Sequence, residues 1–145
     1  MTQLYFEDVK VGDSLTPFVR KTELLNFNRF AAVNDEFVAV HMDEQAAIAN
    51  GFPRLYGMGA LRTALLHVML REWAGDAAFL VRVAIQHRGI NYRDDVLTFT
   101  GSVTAKSTSD RGTVDVAVEA RTDGGELSAK GSATVRFPSR PVASI

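Results

Sequence analysis

"GMGALRTALLHVMLREWAG", residues 57–75, is the stretch on which the fold turns. Ala60, Leu61, Ala64, Leu65, Val68, Met69 and Trp73 recur at helical spacing and cover more than a narrow stripe. A helix apolar over so much of its circumference is buried by more than one neighbour. Gly57 and Gly59 open it and Gly75 lies past its end, as the backbone freedom of glycine favours. Arg62, His67, Arg71 and Glu72 interrupt it, so it falls short of a membrane span.

Beyond the helix the apolar residues recur with a period of two. In "AAFLVRVAIQH" the residues Phe79, Val81, Val83 and Ile85 share one parity, and His87 continues it. "VLTFTGSVTAK" repeats the pattern through Leu97, Phe99 and Val103, and "GTVDVAVEART" through Val114, Val116 and Val118. "ELSAKGSATVRF" closes the series with Leu127, Ala129, Ala133, Val135 and Phe137. The joins "STSDRG" and "TDGG" are short and rich in turn formers, which predicts antiparallel hairpins. Ahead of the helix, "SLTPFVRK" reads as an edge strand because Pro17 cannot donate to a ladder. "TELLNFNRFAAVN" reads as a helix with Thr22 as N-cap, and "DEQAAIANG" as a short helix capped by Asp43 and ended by Gly51. A sheet with one wet face must cover the other, and only the long helix has the apolar surface to do so. The expected fold is α+β: one domain over residues 1–145, a curved antiparallel sheet wrapped around a long central helix, the hot-dog arrangement. The tail "PSRPVASI" reads as a loose or partner-contacting end.

With 145 residues the chain suits one domain with a real core. A net charge of −1 argues against non-specific nucleic-acid binding, and the lack of cysteine excludes disulfides, a thiol nucleophile and a Cys-based zinc site. The N-terminal "MTQLYFEDVKVGD" lacks the basic-then-apolar pattern of a secretion signal, so a cytoplasmic protein is expected.

The chemistry-bearing segment is "NDEFVAVHMD", residues 34–43, where Asp35, Glu36 and His41 surround a short apolar run. A carboxylate and a neutral imidazole can hold one water between them and exchange both of its protons on one face. An unpaired N–H at a helix start suits a carbonyl oxygen that gains charge, and Gly57 and Gly59 permit close backbone approach there. Set against this, an acid and a histidine in a loop are more often structural. Asp43 reads most simply as a helix cap, and His67 as a hydrogen-bonded core or interface residue. His87 fits either the core or a substrate pocket, and Tyr56 either packs or donates at the pocket mouth. Three well-placed metal ligands are not visible, so no metal site is expected. "GMG" lacks the Gly-Lys-Ser/Thr of a nucleotide loop.

"FAAVNDEFVAVHMDEQAAIANGF", then "YGMGAL" and a long apolar helix, resembles the MaoC-like hydratases and dehydratases, and "QHRGINYRDDVLTFTGSVT" fits the family's later strand pair. That group includes (R)-specific enoyl-CoA hydratases and hydroxyacyl-thioester dehydratases. Its members carry an Asp, often followed by Asn-Pro, a His five residues after the Asp, a further acid two residues on, and a His-Gly pair opening the central helix. The resemblance matches His41 to the catalytic histidine, Asp43 to the following acid and Gly57 to the helix-opening glycine. Asp35 has the expected residue type but lies six positions before His41, whereas Glu36 has the expected spacing. Val38 and Ala39 replace the Asn-Pro, and Tyr56 stands where the family has histidine.

The resemblance implies a hydratase or dehydratase acting across the 2,3 double bond of an acyl-CoA or acyl-carrier thioester. His41 with Asp35 or Glu36 would activate the water, Gly57 and Gly59 would meet the thioester oxygen, and Tyr56 and His87 would line the pocket. No cofactor is implied beyond coenzyme A as part of the substrate, for whose phosphates Arg54, Arg62, Arg88 and Arg93 are candidates. A homodimer, or a heteromer with another hot-dog subunit, is implied. Two rivals stand beside this reading: a catalytically weak subunit of a heteromeric dehydratase, and a hot-dog acyl-CoA thioesterase.

Overall fold

A computed structural model describes residues 2–109 and 112–141. Five strands form one antiparallel sheet: β1 (Phe18–Lys21), β2 (Phe79–His87), β3 (Val96–Ser107), β4 (Thr113–Thr122) and β5 (Leu127–Arg136). Their spatial order is β1-β3-β4-β5-β2. The β3-β4-β5 meander follows from the short joins, although the tip of "STSDRG" lies outside the described residues. β1 begins directly after Pro17 and is an edge strand, as its proline predicts.

Three helices precede β2: α1 (Leu24–Asn34), α2 (Glu44–Ala49) and the long α3 (Gly59–Ala74). The sheet curls around α3, whose Leu66, Met69, Leu70 and Ala74 are buried in one cluster with Leu97, Phe99, Val103 and the inward valines of β4. Fully burying one such large apolar side chain contributes about 1.5–3 kcal/mol, so this seam dominates the stability. A second cluster joins Leu61 of α3 to Phe27 and Ala31 of α1, Ala47 of α2, and Leu55 and Met58. α3 is thus buried from two sides, as its wide apolar surface requires. Ala60 and Val68 nevertheless face solvent, and Leu66 and Leu70 take the buried positions. Among the described residues no helix is long and apolar enough to cross a membrane.

Three further expectations need correction. Phe79 and Val81 do not face the core; they are 64% and 41% exposed. The ladder between β2 and β5 shifts register between Leu80 and Arg82, so Leu80 packs inward before the bulge and Val83 and Ile85 after it. Thr22 is not the cap of α1: Glu23 holds that position and donates its N–H to the Asn26 side chain, while Thr22 is buried and its hydroxyl reaches the carbonyls of Tyr92 and Asp95. The start of the tail is tied down, since the Pro138 carbonyl accepts the Phe6 N–H and Arg140 pairs with Asp8. Residues 142–145 of that tail lie outside the described residues.

Candidate active site

The segment between α1 and α2 folds because of one strained residue. Asp35 adopts φ 53°, ψ 39°, the left-handed conformation that ends helices and that glycine takes most cheaply. The N–H groups of Asp35 and Glu36 both reach the Ala31 carbonyl, which closes α1 and turns the chain away. The side chains of Asp35, Glu36 and Phe37 are left exposed. A 3-10 turn over Ala39–His41 then brings His41 back to a half-buried position. Asp43 accepts the Ala46 N–H at 2.9 Å and caps α2, as expected.

His41 is held from the other side of the site. Its Nδ1 lies 2.8 Å from the Tyr56 carbonyl oxygen. A carbonyl only accepts, so Nδ1 carries a proton, and the tautomer this fixes places the lone pair of an uncharged imidazole on Nε2. The Tyr56 ring meets the imidazole edge-on at 4.9 Å and leans on Phe52 at 4.5 Å. Tyr56 therefore orients His41 with its backbone and wedges it with its ring. Among the described residues neither Asp35 nor Glu36 forms a hydrogen bond or ion pair with His41.

The strip around Tyr56 is pinned along its length. Leu55 N–H donates to the Glu44 carboxylate at 3.0 Å, and the Leu55 carbonyl accepts from Arg93 N–H at 2.9 Å. Glu44 also faces the Arg93 guanidinium at 3.5 Å. Tyr56 bridges to Tyr92, and Gly57 N–H donates to the Asn91 carbonyl at 2.8 Å. The consequence for the expected thioester site is direct: the Gly57 amide is already committed. Gly57 is needed instead for space, since a Cβ there would come within 2.6 Å of the Asn91 amide and 2.8 Å of Phe27. Gly59 is the first residue of α3, and among the described residues its N–H has no partner. A Cβ on Gly59 would meet His87 Nε2 at 3.0 Å, so the imidazole of His87 lies against the opening of the helix. Burial and the nearby positive charge of Arg62 hold His87 below the ordinary histidine range.

Arg62 is not available to a phosphate. It is 6% exposed, and its guanidinium donates to the carbonyls of Gly89 and Ser128 and to the Ser128 hydroxyl. Arg54 pairs with Asp95, Arg93 with Glu44 and Asp94, and Arg88 with Gln86. His67 donates through Nδ1 to the Thr63 carbonyl one turn back on α3, at 2.8 Å, which is a local role. Glu44 and Asn91 are the residues that sequence reasoning passed over. Glu44 resembles any first-turn acid, and Asn91 lies in the mixed polar run Arg88–Asp95, where no local pattern marks it.

These elements and their order are those of a known architecture. PhaJ1, an (R)-hydratase from Pseudomonas aeruginosa, superposes with a TM-score of 0.89 at 18% identity, covering 99% of this chain and 94% of that one. The chain has the hot-dog fold. A MaoC-like dehydratase from Rhodospirillum rubrum shares it with a TM-score of 0.78 at 23% identity, over 96% of this chain and 99% of that one. The ChsH1-ChsH2 complex from Mycobacterium tuberculosis matches with a TM-score of 0.81 at 23% identity, over 88% and 98%. The hot-dog fold of MaoC-like dehydratases and (R)-hydratases is thus the fold of this chain, at low sequence identity. No protein-family model matches the sequence, and a search of curated proteins finds no match.

Proposed function

We propose that this hot-dog protein adds water to, or removes it from, the 2,3 double bond of an acyl-CoA thioester. The observation that carries the reading is the bond from His41 Nδ1 to the Tyr56 carbonyl, which leaves Nε2 free as a base in a fold shared with (R)-hydratases. Asp35 and His41 hold the water between them; the pair takes one proton from it as the hydroxyl bonds to C3 and passes that proton on to C2, so that H and OH are added and both groups return to their starting state. The thioester oxygen gains negative charge in this step and is met by the Gly59 N–H and the positive end of the α3 dipole. Gly57 N–H contributes only where its bond to Asn91 opens. Asp35 is favoured over Glu36 as the acid because it carries a carboxylate at a left-handed position that glycine would take at less cost. Tyr56 and His87 line the pocket, coenzyme A is the carrier, and no separate cofactor is called for.

Assembly belongs to the same proposal. β2 is an edge strand that exposes Phe79 and Val81, a surface suited to pairing with a second hot-dog subunit, identical or different. The ChsH1-ChsH2 neighbour is a complex of two chains, which favours keeping the heteromer as the second reading. The deciding experiment assays the purified protein on crotonyl-CoA and follows both the enoyl absorbance and free thiol. Loss of absorbance without thiol release supports hydration; thiol release supports a thioesterase; silence until another hot-dog subunit is added supports the heteromer.

A further inference from the structure

A cavity of about 330 Å3 opens where β1, α1 and α3 come together. Its apolar wall is Phe30 and Val33 of α1 with Leu61 and Leu65 of α3. Val33 is 86% exposed, an apolar side chain left at the rim. The volume lies at the lower end of the range for small-molecule pockets, roughly 300–1,000 Å3.

The polar groups around this wall leave mainly donors free. Thr22 is engaged on both sides: its hydroxyl donates to the carbonyls of Tyr92 and Asp95 and accepts from the Asn91 amide. Asn26 accepts the Glu23 N–H with its side-chain oxygen, which leaves its amide N–H groups as the unused end. Arg20 rests its guanidinium over the Phe18 ring at 5.3 Å, and among the described residues neither Arg20 nor Arg29 has a carboxylate partner. The described lining of the cavity contains no Asp or Glu. The site therefore offers two cations and an amide donor beside an apolar wall, while its one hydroxyl is already engaged and no carboxylate is among the described lining residues. This composition selects for an anion carrying an apolar body. A neutral chain would leave the two guanidinium groups unused, and a cation would be repelled by them.

We propose that this cavity binds an amphiphilic anion, a medium-length apolar chain ending in a carboxylate. The chain lies against Phe30, Leu61 and Leu65, and the carboxylate is gripped by Arg20 and Arg29. The carboxylate has two candidate sources, a free fatty carboxylate or the far end of an acyl group whose thioester is at His41. The site itself stands independently of the hydration reading.

Calorimetry on the full chain tests it with octanoate and its neutral counterpart octanamide. Octanoate is expected to bind roughly tenfold or more tightly than octanamide, the difference that a charge-assisted pair supplies. The double variant Arg20→Gln/Arg29→Gln should bring octanoate down to the octanamide level while the melting temperature holds. Equal binding of the two probes, or an unchanged octanoate affinity in the double variant, overturns the proposal. His41→Ala should bind octanoate as the parent does, so failure of the hydration reading is separable from failure of this one. Adipoyl-CoA and hexanoyl-CoA then distinguish the sources. A preference for adipoyl-CoA that the double variant abolishes assigns the carboxylate to the acyl end; equal binding of the two, with octanoate still bound, assigns it to a separate ligand.

Discussion

His41 Nδ1 is bonded to the backbone carbonyl of Tyr56, not to the Tyr56 hydroxyl, at 2.8 Å. The distinction separates two substitutions. His41→Ala removes the proposed base and should lower the hydration rate on crotonyl-CoA by roughly 10²–10⁴-fold. Tyr56→Phe keeps the carbonyl and the ring wedge, so the same assay should show a change of less than about tenfold. A His41→Ala variant with near-parental rates sinks the site assignment.

Asp35 gives a sharper pair. Its left-handed backbone costs a non-glycine residue roughly 1–2 kcal/mol, less for Asp than for most. Asp35→Gly relieves that strain and should raise stability in urea by up to about 1 kcal/mol while abolishing hydration. A more stable and inactive protein is the signature of a functional residue held at a structural cost. Glu36→Gln should leave the rate within a few-fold; if it is the silent variant and Asp35→Gly stays active, the acid is Glu36.

How much of this was legible before the structure differs by element. β3, β4 and β5 each keep one parity in the core, so Leu97, Val116 and Val135 announce their faces by alternation alone. β2 changes parity at a bulge, and no local pattern in Phe79–His87 marks where the extra residue falls. Asp43 is readable as a cap because its partner, Ala46, is three residues away. The Gly57 amide could not be seen to be occupied, because its partner Asn91 arrives from a distant turn that the fold alone brings near. The strain at Asp35 is likewise invisible, since it follows from how α1 must end to clear the loop that carries His41.

Glu44 acts on the site through the strip it pins. Glu44→Ala strands the Leu55 N–H and releases Arg93, and should destabilise the fold by about 1–3 kcal/mol in urea titration. Because the Tyr56 carbonyl follows directly, kcat should fall more than KM changes, and Glu44→Gln should recover part of both losses.

His87 sets an acid limit. Its proton affinity is lowered first by burial and then by Arg62, so the fold favours the neutral ring. The unfolded chain binds the proton more readily, so stability from this group is full above the ordinary value of 6.5 and is lost as pH falls through the lower folded value. Unfolding midpoints measured from pH 7.5 down to about 5 should fall less steeply for His87→Asn than for the parent. Identical slopes would remove His87 as the titrating group.

Arg62 separates a structural arginine from a phosphate-binding one. Its guanidinium holds three oxygens, the Gly89 and Ser128 carbonyls and the Ser128 hydroxyl, with no carboxylate partner among the described residues, and burial lowers its proton affinity. Arg62→Leu leaves those acceptors unpaired in the interior and should cost about 2–4 kcal/mol. Arg62→Lys keeps the charge but not the fork and should cost less. If Arg62 instead served the phosphates of coenzyme A, the Lys variant would raise KM for crotonyl-CoA with stability unchanged. Denaturation and initial-rate measurements on the two variants decide between these outcomes, because the buried geometry demands that stability falls first and KM stays near the parental value.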